Sequence, residues 1–412
     1  MKIDNPYSGI LWCLLIGVFC VNTAHFISIP FLSLYLANKT HCSLWISGFA
    51  VGVAPFFSIV GGFVGGQLSD RYGRLFLLYL SVFATAGIFI LFYGAFNLES
   101  NSVQWAIIIF LNALFGLFTS FFQPSVMALL SDLVEKTYRE QVFHLRYAAI
   151  NIGAIIGPML GIFLGITLSP IAFLIGGLIY LIYGSLLYLA LKIQNINCLC
   201  QVNESVSILD TTYVVFTDKK LFNFILFHVV FAVCYSQITS TLAYYIAQNL
   251  NHGTQVYSFI ITLNALFVLL GQAPVYLLCK HIAKIKSIFY GCFVFCMGCI
   301  GLAYSGQEVI YFYSSILLIT LGELLIFPFA SGFIDEIAPP HLKGTYFGAL
   351  TFRELGLALG PILGGLILQI FGGQILFIFI GILALCSFYF MVQCERSKYA
   401  LVNPIIPVDE GV

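Results

Sequence analysis

The stretch "GGQLSDRYGRLFLL", residues 65–78, sets Asp70, Arg71 and Arg74 within five positions of one another. Only 8% of the chain is charged, against about 25% in an average soluble domain. Charge gathered at one point therefore marks a place where the chain leaves an apolar medium. Working outward, the runs "LWISGFAVGVAPFFSIVGGFVGG" (44–66) and "LFLLYLSVFATAGIFILFYGAF" (75–96) flank it on either side. Each is long enough to cross a bilayer, which takes about 20 apolar residues. The charged stretch is then a turn between two membrane spans.

The same pattern repeats along all 412 residues, of which 60% are hydrophobic and 16% aromatic. A soluble fold of this size has no interior large enough for that much apolar surface, and in lipid a helix satisfies its own backbone. Spans are predicted near 9–37, 44–67, 74–96, 103–131, 140–167 and 170–191, then near 221–249, 254–278, 285–304, 308–333, 342–371 and 374–394. The chain reads as an all-α membrane protein of twelve spans. Residues 1–191 form an N-terminal six-helix half, 192–220 a linker, and 221–412 a C-terminal six-helix half with a short tail. The first apolar stretch is too long for a signal-peptide core and lacks a small-residue cleavage pattern, so it is read as a retained span. Most of the twelve cysteines lie inside apolar windows, where a thiol behaves as a small hydrophobe. Cys198 and Cys200 make a lone C-x-C without the further ligands a metal needs.

Basic residues set the orientation. Of seventeen Lys and Arg, Arg146 and Arg353 fall within spans and Lys39 alone falls in a loop opposite the N-terminus, leaving fourteen on the N-terminal side. Both termini and the linker are therefore expected in the cytoplasm. Asn203-Glu204-Ser205 matches a glycosylation pattern but faces that compartment.

The two halves also resemble each other. "QPSVMALLSDLVEKTYREQVFHLRYAAINIGAIIGPMLGIF" aligns with "FPFASGFIDEIAPPHLKGTYFGALTFRELGLALGPILGGL" at an offset of about 203 residues. Pro124 then meets Pro328, Asp132 meets Asp335, Gly157-Pro158 meets Gly360-Pro361, and Gly161 meets Gly364. With six spans each, an even number, the halves run parallel and are related by an axis along the membrane normal, as in one class of secondary transporters.

With these motifs in view, the sequence resembles the major facilitator superfamily over nearly its whole length. Gly66-x-x-x-Asp70-Arg71-x-Gly73-Arg74 is similar to that family's signature turn between spans two and three. Gly153-x-x-x-Gly157-Pro158-x-x-Gly161 in span five resembles the motif of its antiporters, and Leu321-Gly322-Glu323 with Pro328 resembles its multidrug/proton antiporter branch. The resemblance implies a bacterial inner-membrane protein with a cavity between halves that rock. It implies that Asp70 faces the N-terminus of span eleven, where the helix dipole favours an anion. Arg71 and Arg74 can pair with Asp132, so the cluster reads as a latch on the cytoplasmic side. Gly153, Gly157, Pro158, Gly161, Gly360 and Pro361 are expected to allow close packing and bending.

Ionisable groups inside spans cost roughly 2.5–3.5 kcal/mol each on insertion scales, so each needs a reason. Glu323 lies near the middle of span ten, and the resemblance marks it as a proton-coupling carboxylate; Glu354 and His25 are the next candidates. Arg146 is expected either to snorkel or to pair with a carboxylate across the halves. Arg353 and Glu354 are adjacent, do not share a helix face, and are expected to have different partners. The family's cavity helices are spans one, four, seven and ten. In this chain they carry Asn22 and His25; Asn112, Thr119 and Gln123; Gln237, Thr241 and Tyr244; and Thr320 beside Glu323. The family's drug/proton antiporters carry an arginine where this chain has Asn112.

No phosphate loop, nucleophile–base set or metal cluster is present in the sequence, so an ATP-driven pump or enzyme is not expected, nor is a cofactor. The leading expectation is a monomeric, secondary active, proton-coupled exporter of amphipathic small molecules, with lipid and substrate as partners and no nucleic acid. Uptake or export of a defined metabolite, such as a siderophore or amino acid, is the alternative. A non-transporting receptor or scaffold is the alternative of another class.

Overall fold

A computed structural model describes residues 9–40, 43–98, 102–134, 138–193, 216–279, 281–337, 346 and 349–397. Side chains of Lys39, Gly66, Asp70, Arg71, Asp132, Arg139 and Asp335 lie outside the described set, as does the predicted linker over 194–215 with its C-x-C.

Span one is Gly9–Ser28, continued through a 3-10 turn at Ile29–Phe31 into Leu32–Thr40. Spans two and three are Leu44–Tyr72 and Arg74–Phe96. Span four runs in two pieces, Ser102–Thr119 and Phe122–Leu133. Spans five and six are Arg139–Phe163 and Ile171–Ile193. Span seven is broken like span one: Lys219–Tyr235, a 3-10 turn at Ser236–Ile238, then Thr241–Asn249. Spans eight, nine and ten are Gly253–Cys279, Lys284–Ala303 and Val309–Ile337.

Spans eleven and twelve are joined as one helical run, Arg353–Arg396, of 44 residues. At about 1.5 Å per residue that is roughly 66 Å, twice a bilayer core of about 30 Å. Gly372 (φ 79°, ψ 172°) turns the chain back in the middle. Among the described residues, eleven helices long and apolar enough to cross a membrane, the last a double length of 47 residues, therefore make twelve spans. The observed spans follow the predicted windows, but spans two and ten run on by about a turn beyond them.

The breaks have different local causes. Pro30 stands in the first turn of the 3-10 segment of span one. Span seven has no proline there. Instead Ser236 Oγ and Gln237 Nε2 donate to the Val233 carbonyl, both at 2.9 Å, and Ser240 Oγ donates to the Ser236 carbonyl at 2.7 Å. Side chains that compete for backbone groups in this way weaken a helix ladder. At the start of span seven, Asp218 caps the helix, its Oδ1 accepting from the Lys220 and Leu221 amides at 2.8 and 3.3 Å.

Among the described residues two large apolar cores are present, with a small third cluster of Ile27, Ile166 and Ala172. One gathers Phe89, Phe92, Phe115, Phe122 and Tyr180 from the first six spans. The other gathers Phe224, Phe227, Phe231, Phe295 and Phe312 from the last six, and takes in Phe31 and Leu34 of span one. The sequence repeat reappears as packing. A Cβ on Gly153 or Gly157 of span five would stand 2.9 and 2.8 Å from the Phe19 and Thr23 carbonyl oxygens of span one. Gly356 and Gly360, 203 residues later on span eleven, meet the Val229 and Val233 carbonyls of span seven in the same way.

Among the described residues, several contacts between the two groups of six lie toward the side away from the N-terminus, hereafter the far side. Ser33 Oγ donates to the Ser240 carbonyl at 3.0 Å, Thr262 Oγ1 to the Ile155 carbonyl at 3.4 Å, and Phe31 sits edge-on to Tyr257 at 5.4 Å. A side chain on Gly48 or Gly52 of span two would run into the carbonyls of Pro361 and Ala358 on span eleven. Toward the N-terminal side a Cβ on Gly62 would meet, among the described residues, only Thr351 Cγ2 at 4.0 Å, in the turn before span eleven.

Candidate functional site

The chain's central cavity has a volume of about 420 Å³, within the usual range of about 300–1,000 Å³ for small-molecule sites. Its wall is largely apolar and aromatic, with Phe26, Phe115, Tyr147 and Tyr235 among the lining residues. His25 stacks on Phe115 at 5.8 Å and meets Phe26 edge-on at 5.1 Å. The polar groups on the wall include Asn112, Thr119, Asn151, Asn264, Glu323 and Glu354.

Glu323 is the centre of this set. Its Oε1 accepts from the Tyr235 hydroxyl at 3.3 Å, and its Oε2 accepts from Asn264 Nδ2 at 3.1 Å. Asn264 also donates to Thr320 Oγ1 at 2.8 Å, while Thr320 donates to the Ile316 carbonyl at 2.7 Å. Both donors to the carboxylate are neutral, and among the described residues no lysine or arginine lines the cavity. Glu354 lies on the same wall, with Arg353 Nη2 at 3.6 Å from its Oε1.

A family model described as Major Facilitator Superfamily matches residues 14–354. The chain belongs to the major facilitator superfamily. An uncharacterized transporter of this type, YqjV of Bacillus subtilis, is 34% identical over 417 residues, covering 97% of this chain and 98% of its own. A sodium, lithium, potassium/proton antiporter of Planococcus maritimus is 23% identical, covering 84% of this chain and 87% of its own. The solved structure of a nucleoside transporter, NupG, matches with a TM-score of 0.77 at 14% identity, covering 93% of this chain and 100% of that one. The facilitator family and these relatives are transporters, not enzymes, and the chain is a multi-pass membrane protein of twelve spans.

The facilitator cavity of this chain draws on more helices than the four expected. Spans two, five, eight and eleven also reach it, through Ser58, Tyr147, Asn264 and Glu354 among others. Glycines bring spans two and four into backbone contact, Gly116 against Ala54 and Gly61 against Leu117, which draws span two to the wall.

Of the residues expected to meet substrate, His25, Asn112 and Thr119 line the central cavity. Asn22 donates to its own helix at Val18, 2.7 Å away, and lies against Gly153 of span five. Buried Gln237 bridges spans seven and eleven, donating to the Gly360 carbonyl at 2.9 Å and accepting from Thr241 at 2.7 Å. Thr241 and Tyr244 line a small space toward the far side, Tyr244 also lines a wider one beyond it, and Thr320 stands behind Glu323. Gln123 accepts from Arg146 Nη2.

That last contact corrects the expectation for Arg146, whose hydrogen-bond partner is an amide one span away and not a carboxylate across the halves. Arg353 and Glu354 are a second correction, since they pair with each other. Span eleven begins just after a 3-10 turn at Leu350–Phe352, and two long side chains at a helix start reach each other despite pointing apart at Cβ. Arg353 also lies over the Phe327 ring at 6.0 Å. Buried His228 is held by the Phe224 carbonyl at 3.0 Å. The turn glycine Gly73 has φ 89° and ψ 156°, whereas the latch partners Asp70, Arg71 and Asp132 lie outside the described side chains.

Tyr147, Tyr235 and Asn264 were not singled out by sequence reasoning. A signal for Asn264 did exist, because "LNALF" occurs twice, at 111–115 and 263–267. Both copies place their asparagine on the cavity wall.

Proposed function

We propose that this transporter is a secondary active exporter of amphipathic small molecules, driven by proton entry through alternating access in the bacterial inner membrane, with both termini cytoplasmic. The observation that carries the reading is Glu323, a carboxylate on the cavity wall bonded only by neutral donors. A carboxyl withdrawn from water can gain or lose a proton as access changes, and among the described residues no lysine or arginine lines its cavity. The mostly apolar, aromatic wall suits an amphipathic solute. The antiporter motifs around Gly157 and Glu323 support the same mode, as does the relative whose printed name pairs metal ions with protons.

In the cycle, a proton from the outside neutralises Glu323, the cavity reorients, and the proton leaves to the cytoplasm as solute is taken up for export. Glu354, already facing Arg353, and His25, stacked on Phe115 with Phe26 edge-on, are wall groups that shape the site. The two six-helix halves, 1–191 and 221–412, are the bodies that rock, and the glycine-mediated contacts of spans two and eleven are the surface they rock on.

Glu323→Gln tests this. The amide mimics the protonated acid, so gradient-driven flux in proteoliposomes is expected to vanish while passive exchange of a transported dye persists. A Gln variant that responds to the pH gradient like the wild type would overturn the assignment.

A further inference from the structure

Most polar groups on the wall of the central cavity are already engaged by the chain itself. Ser58 Oγ donates to the Gly116 carbonyl at 3.0 Å, Asn112 Nδ2 to the Ala50 carbonyl at 2.6 Å, and Thr119 Oγ1 to the Phe115 carbonyl at 2.6 Å. Asn151 Nδ2 and Ser236 Oγ donate to the Tyr147 and Val233 carbonyls, both at 2.9 Å. Tyr235 donates to Glu323, and Asn264 to Glu323 and Thr320. Bonds made inside the wall leave these donors little to offer a solute.

The groups left open are chiefly acceptors. Glu323 accepts one hydrogen bond on each oxygen, whereas a carboxylate has about four lone-pair sites. Glu354 has, among the described residues, only the Arg353 guanidinium, at 3.6 Å. Both acids are half-buried on the wall. In the first six spans, His25 lines the same cavity, also half-buried. Stacking on Phe115 uses a face of its ring, and hydrogen bonding uses the edge. Among the described residues neither ring nitrogen has a hydrogen-bonded or charged partner. A neutral imidazole keeps one acceptor nitrogen and one donor.

Charge narrows the solute further. Two carboxylates line the cavity and, among the described residues, no lysine or arginine does, so the wall suits a cation. The rings of Phe26, Phe115, Tyr147 and Tyr235 attract a cation whatever its substituents. Rings therefore do not distinguish a cation that carries N–H groups from a fully methylated one, but open acceptors do.

We propose that the cavity selects amphipathic cations bearing N–H groups at two positions, the charged one held by the carboxylates of the second half and the other by His25 of the first. The proposal rests on reading the central cavity as the site for amphipathic solutes. It makes His25 a specificity-determining residue: a cation without the second N–H still meets the carboxylates and the rings, and leaves His25 without a partner.

Three planar fluorescent cations test this by removing N–H groups in turn. Proflavine carries a protonated ring nitrogen and free amino groups. Acridine orange has those amino groups methylated, and its 10-methyl salt lacks the ring N–H as well. Binding to the purified full chain is read by dye anisotropy at neutral pH without a gradient. Methylation adds apolar surface, which by itself favours burial, so a loss of affinity along the series reports lost hydrogen bonds. Wild type is expected to weaken about two- to tenfold from proflavine to acridine orange, and about tenfold or more on to the 10-methyl salt. His25→Phe keeps an aromatic ring on Phe115 and should abolish the first step while the second remains. His25→Gln, with an amide oxygen as acceptor, should restore part of the first step. A first step that survives in His25→Phe, or is absent from wild type, overturns the role of His25 and leaves the cavity reading intact. Wild-type protein that binds none of the three dyes overturns the cavity reading together with this one.

Discussion

Gly73 and Gly372 show how single residues hold this fold. With φ of 89° and 79° and ψ of 156° and 172°, both sit in a backbone region that is essentially glycine's own. Gly73 reverses the chain between spans two and three, and Gly372 does so between spans eleven and twelve. Alanine at either position forces strain or a new turn, at about 1–3 kcal/mol. Gly73→Ala and Gly372→Ala are each expected to lower the thermal midpoint of the purified protein. Gly94→Ala on span three, where an added Cβ would meet no atom within 4 Å, should leave it unchanged. A midpoint for Gly73→Ala equal to that of Gly94→Ala would argue that the turn relaxes freely.

Helix pairs are the units in which the two halves repeat. Spans one and five, and again seven and eleven, meet through glycines spaced by four residues, so that backbone lies against backbone. Close approach of this kind is how helices gain contact in lipid, where burial of apolar surface offers little. A leucine at Gly157 must displace Phe26 and the Thr23 carbonyl, and one at Gly360 must displace Ser236 and the Val233 carbonyl. Overpacking typically costs about 1–3 kcal/mol and occasionally more. Gly157→Leu and Gly360→Leu should therefore lose transport with reduced folded yield, while Gly94→Leu, facing open space, keeps both. Flux and yield at wild-type level in both packed variants would show that the pairs tolerate separation. The broken spans belong to this scale too. In spans one and seven the break sits beside the cavity, and the two spans meet there through Ser33 and the Ser240 carbonyl.

At the scale of the whole molecule, the contacts between halves made by the described residues draw the far side together and thin out toward Gly62 on span two. The proposed latch of Asp70 with the start of span eleven would form when that side closes. A helix-dipole contact is worth about 0.3–1 kcal/mol, up to about 2 when partly buried. Its loss should shift the balance of states roughly two- to thirtyfold toward the arrangement seen here. Asp70→Asn is thus expected to reduce transport at unchanged abundance and to raise thiol labelling of a cysteine placed at Thr119 on the cavity wall from the N-terminal side. Wild-type labelling and flux would remove the latch, and loss of the protein itself would make the cluster a folding determinant.

Composition and apolar periodicity alone established a membrane protein, its span count and the near repeat at 203 residues, because lipid forces the backbone into helices of one length. The place of Glu323 on the cavity wall was also foreshadowed, since an acid in mid-span is costly and needs polar company. The partners of that acid were not. Asn264 and Tyr235 are ordinary polar residues in apolar windows until spans seven and eight are placed against span ten, and Gln237 looks like a wall residue until span eleven is seen to meet it. Which side of a helix faces a cavity depends on crossing angles and on breaks such as that at Ser236–Ile238. Those arise from packing among distant segments, and a linear pattern does not encode them. The small space beside Ser33 and Ser240 is the clearest instance: its walls come from four spans, and only their assembly encloses it.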